Sequence, residues 1–224
     1  MDKDELFWVM NQDEEKFLAA IKKMPEKDNR GFYLYAAARC YKNWEKEYDE
    51  TFAEENVRDI GIWMRDNMRR TGRICIDNHA WVRKGLVGEV VRLGRLQFEK
   101  ISDAQRGTVL NVHIPEDGPL CPKEVKASFV RAEAFYGLSD FVCTSWLLAP
   151  ELKRYLDENS NIRRFQDLFV VTEVDYANRQ AEERVFGSVL ADPAQYAAKT
   201  RLQKRLREGL KTNGNPGVAT GYIK

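Results

Sequence analysis

A strand, a tight turn and a helix start follow one another between Thr108 and Glu124, and this order favours anion binding. Residues 108–115 alternate apolar and polar side chains with the period of a strand. Pro122 suits the first position of a helix, because its φ is fixed and it has no N–H to satisfy. The N–H groups of the turn and the positive end of the helix dipole would then point to one place. An ordinary strand-to-helix connection would leave the same pattern.

Two titratable side chains, His113 and Glu99, fall on one face of a predicted antiparallel hairpin. The hairpin joins strands at 92–101 and 108–115, and its apolar residues must share the other face. Histidine titrates closest to neutrality, so His113 is a candidate general base and Glu99 is a second one. A solvated sheet surface is the alternative interpretation. The polar face predicted by this pairing consists of Arg95, Gln97, Glu99, Asn111 and His113.

The hairpin also predicts which side chain lies beside His113. Its neighbour on the facing strand would be Gln97 or Arg95. Gln97 would orient the imidazole ring through a hydrogen bond, whereas Arg95 would lower the pKa of the ring by charge repulsion.

The elements that carry these residues belong to two halves of different periodicity. Apolar residues recur at helical spacing before residue 88, where Thr51 and Glu54 match a capping box. After that the period shortens to two, and an apolar run at 141–148 predicts a buried strand. The pattern therefore predicts an α+β (α/β) protein with a helical domain at 1–88 and a mixed domain at 89–224. The other elements predicted in the second half are helices at 122–136, 150–156, 180–190 and 200–210 and strands at 168–174 and 218–223.

Composition excludes several classes of partner and cofactor. The chain is 43% hydrophobic and 32% charged with a formal net charge of +1, so we expect no nucleic-acid or membrane partner. Its two histidines and four widely spaced cysteines predict no metal site. The N-terminus is acidic and lacks the apolar core of a signal peptide, so we expect a cytoplasmic protein with reduced thiols.

Several short segments of the sequence resemble those of a bacterial group of GNAT-like acyltransferases. Members of that group have a helical N-terminal domain and a GNAT-like C-terminal domain. The similar segments are LGRLQFE at Leu93–Glu99, LNVHIP at Leu110–Pro115, GPL at Gly118–Leu120, SWLL at Ser145–Leu148 and SNI…FQ at Ser160–Gln166. The resemblance implies a GNAT-like mixed sheet flanked by helices. It also implies an acyltransferase that moves an acetyl or other acyl group from acyl-CoA to an amine or similar nucleophile of a small molecule or peptide.

In the GNAT fold, acyl-CoA wedges between two parallel strands that splay apart, and the turn after the first strand holds its pyrophosphate. By position, the resemblance places the splayed pair at 108–115 and 141–148, and Tyr155 where many GNAT enzymes keep a general acid. Core packing is the alternative role for Tyr155. Candidate catalytic residues are thus His113, Glu99 and Tyr155, and candidate residues for binding acyl-CoA are Ile114, Asp117, Gly118, Leu120, Cys121, Lys123 and Ser145.

The turn departs from the usual Q/R-x-x-G-x-G/A signature of these folds. It has one glycine, two acids at Glu116 and Asp117, and Pro119, which has no N–H to donate. A non-catalytic GNAT-like module that binds a ligand or a protein is therefore the alternative function. A covalent mechanism through Cys143 with His113 is a further alternative, but the residue types favour a buried structural cysteine over it. The sequence does not predict the oligomeric state.

Overall fold

The computed structural model describes residues 1–223 and confirms the predicted α+β architecture of helices followed by a mixed sheet. The chain begins with helices α1 (Lys3–Gln12), α2 (Glu14–Ile21), α3 (Glu26–Glu47), α4 (Glu50–Thr71) and α5 (His79–Leu86). The strands that follow are β1 (Val90–Leu93), β2 (Leu96–Asp103), β3 (Gly107–His113), β4 (Phe141–Ser145), β5 (Phe169–Asp175) and β6 (Val218–Ile223). The helices between and after them are α6 (Pro122–Tyr136), α7 (Asn161–Gln166), α8 (Gln180–Phe186) and α9 (Arg201–Thr212).

The strands lie in the order β1-β2-β3-β4-β6-β5. β3 and β4 run parallel, while β1 with β2, β4 with β6 and β5 with β6 pair antiparallel. Two compact units divide the chain: one contains Met1–Lys100 and His113–Gly118, and the other contains Ile101–Val112 and everything from Pro119 onward. The domain boundary predicted between residues 88 and 89 stays a prediction.

Aspartates begin three of the N-terminal helices. The carboxylates of Asp2, Asp13 and Asp49 each accept a hydrogen bond from a backbone N–H of the first helical turn. The predicted capping box at Thr51 is therefore wrong, because Asp49 begins the helix two residues earlier. The helices bury an aromatic and aliphatic core that includes Leu6, Met10, Phe17, Ile21, Phe32, Tyr33 and Ile76.

One predicted strand is interrupted, and two predicted elements end earlier than the apolar pattern indicates. Gly94, with φ +80°, reverses the chain in a two-residue turn, so the single strand predicted at 92–101 is a hairpin of β1 and β2. The hydroxyl oxygen of Ser145 accepts the N–H of Leu147 and starts a 3₁₀ turn at Trp146–Leu148, which stops β4. Gly187, with φ +79°, ends α8 at Phe186.

The parallel pairing of β3 with β4 is short. It covers two positions, Leu110↔Phe141 and Asn111↔Val142, whereas β4 pairs with β6 at four positions from Val142↔Tyr222 to Ser145↔Ala219. β4 thus continues for three residues past its last recorded pairing with β3. The predicted splaying of 108–115 from 141–148 stays a prediction.

We predict that Gly209 of α9 tolerates no side chain. A Cβ there would lie 2.2 Å from Cε1 of Tyr155, so Gly209→Ala must displace a buried ring. The free energy of unfolding should fall by roughly 1–3 kcal/mol, measured by chemical denaturation. Gly85→Ala in α5 is the matched control, because its Cβ would meet nothing within 4 Å. A neutral Gly209→Ala would contradict the packing described here.

Candidate active site

His113 at the end of β3 meets Glu99 in the middle of β2. His113 is the last residue of β3, Glu99 lies in β2, and His113 Nε2 is 3.1 Å from Glu99 Oε2. The His113 side chain is 24% exposed and that of Glu99 is 15% exposed, so the pair is largely shielded but open to solvent on one side. The polar face predicted from the hairpin does contain both groups, although it is not a solvated sheet surface.

Helix α5 supplies two further side chains to this pair. Lys84 Nζ donates to Glu99 Oε1 at 2.6 Å, and the Trp81 ring meets the His113 ring edge-on with centroids 4.6 Å apart. The two residues are three apart, so they share one face of the helix. The side-chain oxygen of Asn78 caps α5 by accepting the N–H of Trp81. Sequence reasoning missed both residues, although their i, i+3 spacing in a short helix is visible in the sequence.

Hydrogen bonds keep Glu99 ionised, and burial keeps His113 neutral. Burial raises the pKa of Glu99, but the hydrogen bonds from Lys84 and His113 outweigh it and hold the pKa below its ordinary value. Burial lowers the pKa of His113, the hydrogen bond to Glu99 opposes this, and the Lys84 charge adds to the lowering. The net direction for His113 is downward, so its imidazole is neutral at pH 7.

The tautomer of His113 follows from its partner. An ionised carboxylate only accepts hydrogen bonds, so the Nε2 that faces Glu99 must carry the proton. The lone pair then resides on Nδ1, which has no hydrogen-bond partner among residues 1–223. A neutral imidazole that is oriented by a carboxylate and presents a free nitrogen is the arrangement of a general base.

The two residues predicted as neighbours of His113 form hydrogen bonds elsewhere. Gln97 is buried and its amide donates to Asp59 Oδ2 of α4 at 2.7 Å. Arg95 is buried in the turn between β1 and β2 and donates to the carbonyl oxygens of Pro115 and Gly118. Which of the two lies across the hairpin from His113 stays a prediction.

Arginines hold both acidic side chains of the predicted pyrophosphate turn. Arg92 Nη2 lies 3.0 and 2.9 Å from the two carboxylate oxygens of Asp117, and Arg69 Nη2 lies 2.7 Å from Glu116 Oε1. The Arg92 side chain is 3% exposed and that of Asp117 is 13% exposed, whereas Glu116 and Arg69 lie at the surface. The two carboxylates that the sequence places in the turn therefore have cationic partners.

The backbone of the turn offers donors without acceptors. Across residues 1–223 the N–H groups of Glu116, Asp117 and Gly118 donate to no protein atom. Gly118 is exposed with φ +111°, and a Cβ on it would meet nothing within 4 Å. A left-handed φ of this size favours glycine. Consecutive free N–H groups in such a turn can bind an anion.

The remaining candidates for acyl-CoA binding lie around the start of α6 and at the end of β4. Ile114 is half-buried, Leu120 is buried, Cys121 precedes Pro122 at the helix start, and Lys123 is exposed in the first turn. In the described part of the chain the N–H groups of Leu120 and Cys121 likewise have no acceptor. The hydroxyl oxygen of Ser145 is engaged by the N–H of Leu147.

Tyr155 and Cys143 are both buried in the second compact unit. The Tyr155 ring packs against Gly209, and its carbonyl oxygen accepts from Arg205 at 3.3 Å. Burial raises the pKa of the Cys143 thiol to about 12, so the covalent alternative lacks the thiolate that it needs.

The second histidine, His79, lies away from this chemistry in the helical core. Its Nδ1 is 2.9 Å from the hydroxyl of Tyr33, and the two rings stack. Among residues 1–223, no three His, Cys, Asp or Glu side chains converge on a point where a metal ion could bind. None of the helices in that range is long and apolar enough to cross a bilayer.

Both halves of the chain match known protein families. Residues 90–223 match the GNAT-like C-terminal domain, and residues 1–87 match the N-acyltransferase N-terminal domain. The chain belongs to the GNAT-like N-acyltransferase family. The predicted family is thereby confirmed, and so is the expectation of an acyltransferase at the level of this family. A comparison with curated proteins finds no match.

Solved structures of acyltransferases share the fold. One, in complex with decanoyl-CoA, is 25% identical with a TM-score of 0.75, and the alignment covers 86% of this chain and 64% of that chain. This chain therefore spans less than two thirds of that protein. A second solved structure, an acyltransferase in complex with decanoyl-CoA and teicoplanin, is 23% identical with a TM-score of 0.78. The alignment covers 100% of this chain and 80% of that chain. At 23% identity the second likeness shows the fold alone.

We predict that both histidines titrate below the ordinary imidazole pKa of ~6.5, since burial lowers the pKa of each. Two histidines give two C2–H proton resonances in NMR, and His113→Gln assigns them. Lys84→Gln should raise the pKa of His113, because it removes a cation that repels the protonated ring. The Glu99 carboxylate, which stabilises the protonated ring, stays in place. The pKa of His79 serves as the internal control. An unchanged or lower His113 pKa in Lys84→Gln would contradict this electrostatic account.

Proposed function

We propose that this protein transfers an acyl group from acyl-CoA to an amine or similar nucleophile, with His113 as the general base. The observation that carries the proposal is the free Nδ1 of a neutral imidazole whose Nε2 faces the Glu99 carboxylate at 3.1 Å. Glu99 fixes the tautomer and stabilises the ring once it has taken a proton. Lys84 holds Glu99 ionised and in place.

Acyl-CoA is the donor in this proposal, and the turn at 116–118 is the site for its pyrophosphate. The free N–H groups of Glu116, Asp117 and Gly118 support this role. The acids of the turn do not oppose it, because Arg69 and Arg92 neutralise them. Residues 119–123 lead from the turn into α6, so Leu120, Cys121 and Lys123 are proposed to add donors to the phosphates.

The proposed chemistry needs one proton acceptor and one proton donor. Nδ1 of His113 takes the proton of the acceptor amine as its nitrogen attacks the thioester carbonyl carbon. The C–S bond then breaks, an amide forms, and the CoA sulfur leaves as a thiolate that must receive a proton. Tyr155 is proposed as that donor, although its packing on Gly209 explains its burial without catalysis.

The acceptor is proposed to be a small molecule or a peptide. One structure with the same fold holds teicoplanin beside decanoyl-CoA, which makes a glycopeptide a reasonable first acceptor to try. We also propose a cytoplasmic protein of a bacterium. The four free cysteines suit a reducing compartment, and the bacterial source rests on the resemblance of the sequence segments.

We predict that CoA and decanoyl-CoA bind and raise the melting temperature with increasing occupancy, since a ligand that binds only the folded state stabilises it. Calorimetric titration of each ligand measures the affinity directly. ADP tests whether the pyrophosphate contributes on its own. No heat and no thermal shift at saturating CoA would remove the basis of the acyl-CoA proposal and favour a module that binds some other ligand.

We predict that His113→Gln lowers turnover by at least about 10²-fold and leaves the affinity for CoA nearly unchanged. Glutamine keeps a hydrogen bond to Glu99 but cannot take a proton at neutral pH. Turnover is followed as release of CoA thiol from acetyl-CoA and decanoyl-CoA, with an added primary amine as acceptor.

The matched control for this variant is His79→Gln, which removes the other histidine and its hydrogen bond to Tyr33. It should lower the melting temperature and leave turnover per folded molecule unchanged. If His113→Gln behaves like His79→Gln, His113 is a structural residue of the sheet and not the base.

A further inference from the structure

Arg95 joins the two ends of the turn at 115–118. Its Nη1 donates to the carbonyl oxygen of Pro115 at 3.0 Å, and its Nη2 donates to the carbonyl oxygen of Gly118 at 2.7 Å. The side chain is 7% exposed, so these bonds form away from water. The planar guanidinium holds two donors in a fixed fork, which lets one side chain set the distance between two carbonyl groups.

Fixing a carbonyl also fixes the N–H that follows it. A peptide unit is planar and trans, so the C=O of Pro115 and the N–H of Glu116 point in opposite directions. Because Arg95 holds that oxygen, the Glu116 N–H points away from the guanidinium. This N–H has no acceptor among residues 1–223, and neither do those of Asp117 and Gly118. The direction of the Glu116 N–H thus depends on a buried cation behind the turn, which also fixes the far end of the turn at Gly118.

Arg92 holds the carboxylate of the turn. It binds both oxygens of Asp117, and its Nε donates to the carbonyl oxygen of Gly94 at 3.0 Å. The negative charge nearest the free N–H groups is thereby neutralised. Arg92 Nη1 is buried without a hydrogen-bond partner in residues 1–223 and lies 4.0 Å from Asp59 Oδ1.

We propose that Arg95 is a positioning residue for acyl-CoA. It fixes both ends of the turn at 115–118 and directs the Glu116 N–H toward the pyrophosphate without touching it, while Arg92 neutralises the Asp117 carboxylate. The proposal rests on the function proposed above. In this chain two buried arginines would shape the turn, where the usual signature has extra glycines. Neither arginine takes part in the chemical step.

Arg95→Lys tests this proposal, because lysine keeps the charge but cannot hold two carbonyls with a rigid fork. The KM for decanoyl-CoA and the Kd for CoA should rise roughly tenfold, as expected for the loss of about one charge-assisted hydrogen bond, while kcat changes little. With S-decanoyl-pantetheine, which has no pyrophosphate, the KM of the variant should equal that of the unaltered protein. Equal losses for both donors would overturn the proposal.

Arg83→Lys is the matched control for a purely structural effect. Arg83 is also a buried arginine of the same unit, and it donates to the carbonyl oxygen of Met10 and to the carboxylates of Glu14 and Glu89. Its variant should lose stability and keep the affinity for CoA. If Arg83→Lys and Arg95→Lys raise the Kd for CoA equally, Arg95 is structural and the proposal falls.

A measurement on the unaltered protein covers the case in which Arg95→Lys does not fold. The amide ¹H–¹⁵N signals of Glu116, Asp117 and Gly118 should shift downfield when CoA or ADP is added and stay in place with pantetheine. Unshifted signals despite calorimetric binding of CoA would overturn the orientation proposal alone. An absence of any CoA binding would overturn the proposed function, and this proposal with it.

Discussion

The ion pair between Lys84 and Glu99 is the interaction on which the candidate site depends. It joins α5 to β2, and through the other oxygen of Glu99 it reaches His113 at the end of β3. Without the lysine the carboxylate would lose the cation that offsets its burial, and His113 would lose a charge that lowers its pKa. One carboxylate thus connects a helix of the first sequence half to the strand that ends at the predicted anion-binding turn. The chemistry assigned to His113 rests on that connection.

A second set of buried charges shapes the turn itself. Arg92 and Arg95 lie on either side of the chain reversal that ends β1, and both reach residues 115–118. Burying arginines is costly unless their donors are satisfied. Here carbonyl oxygens and the Asp117 carboxylate satisfy most of them. Polar groups buried at this cost specify one conformation of the segment more sharply than apolar packing would.

Sequence patterns predicted the parts of the fold that local rules govern. The alternation before Pro115, the proline at the start of α6 and the apolar run at Phe141 each identified an element correctly, and the sequence segments identified the family. The period of two also placed Glu99 and His113 on one face. The ends of the elements were harder to predict. A single glycine at Gly94 and a single hydrogen bond to the Ser145 hydroxyl decide where strands stop.

The partners of the site residues could not be predicted from local sequence patterns. Lys84 and Trp81 precede His113 by about thirty positions, and only the packing of α5 brings them to it. Arg92 and Arg95 lie in a segment that the pattern predicted as one strand, so their bonds to the turn at 115–118 were not foreseen. Contacts between residues far apart in sequence depend on the tertiary fold, so periodicity alone could not reveal them.

The short pairing of β3 with β4 has a consequence for aggregation. A strand that continues past its last partner can pair with another chain only where its backbone is exposed. Of the three residues of β4 that follow Val142, Cys143 and Ser145 are buried and Thr144 is exposed. The end of β4 is therefore a poor template for pairing with a second molecule, although FVCTS contains neither a charge nor a proline.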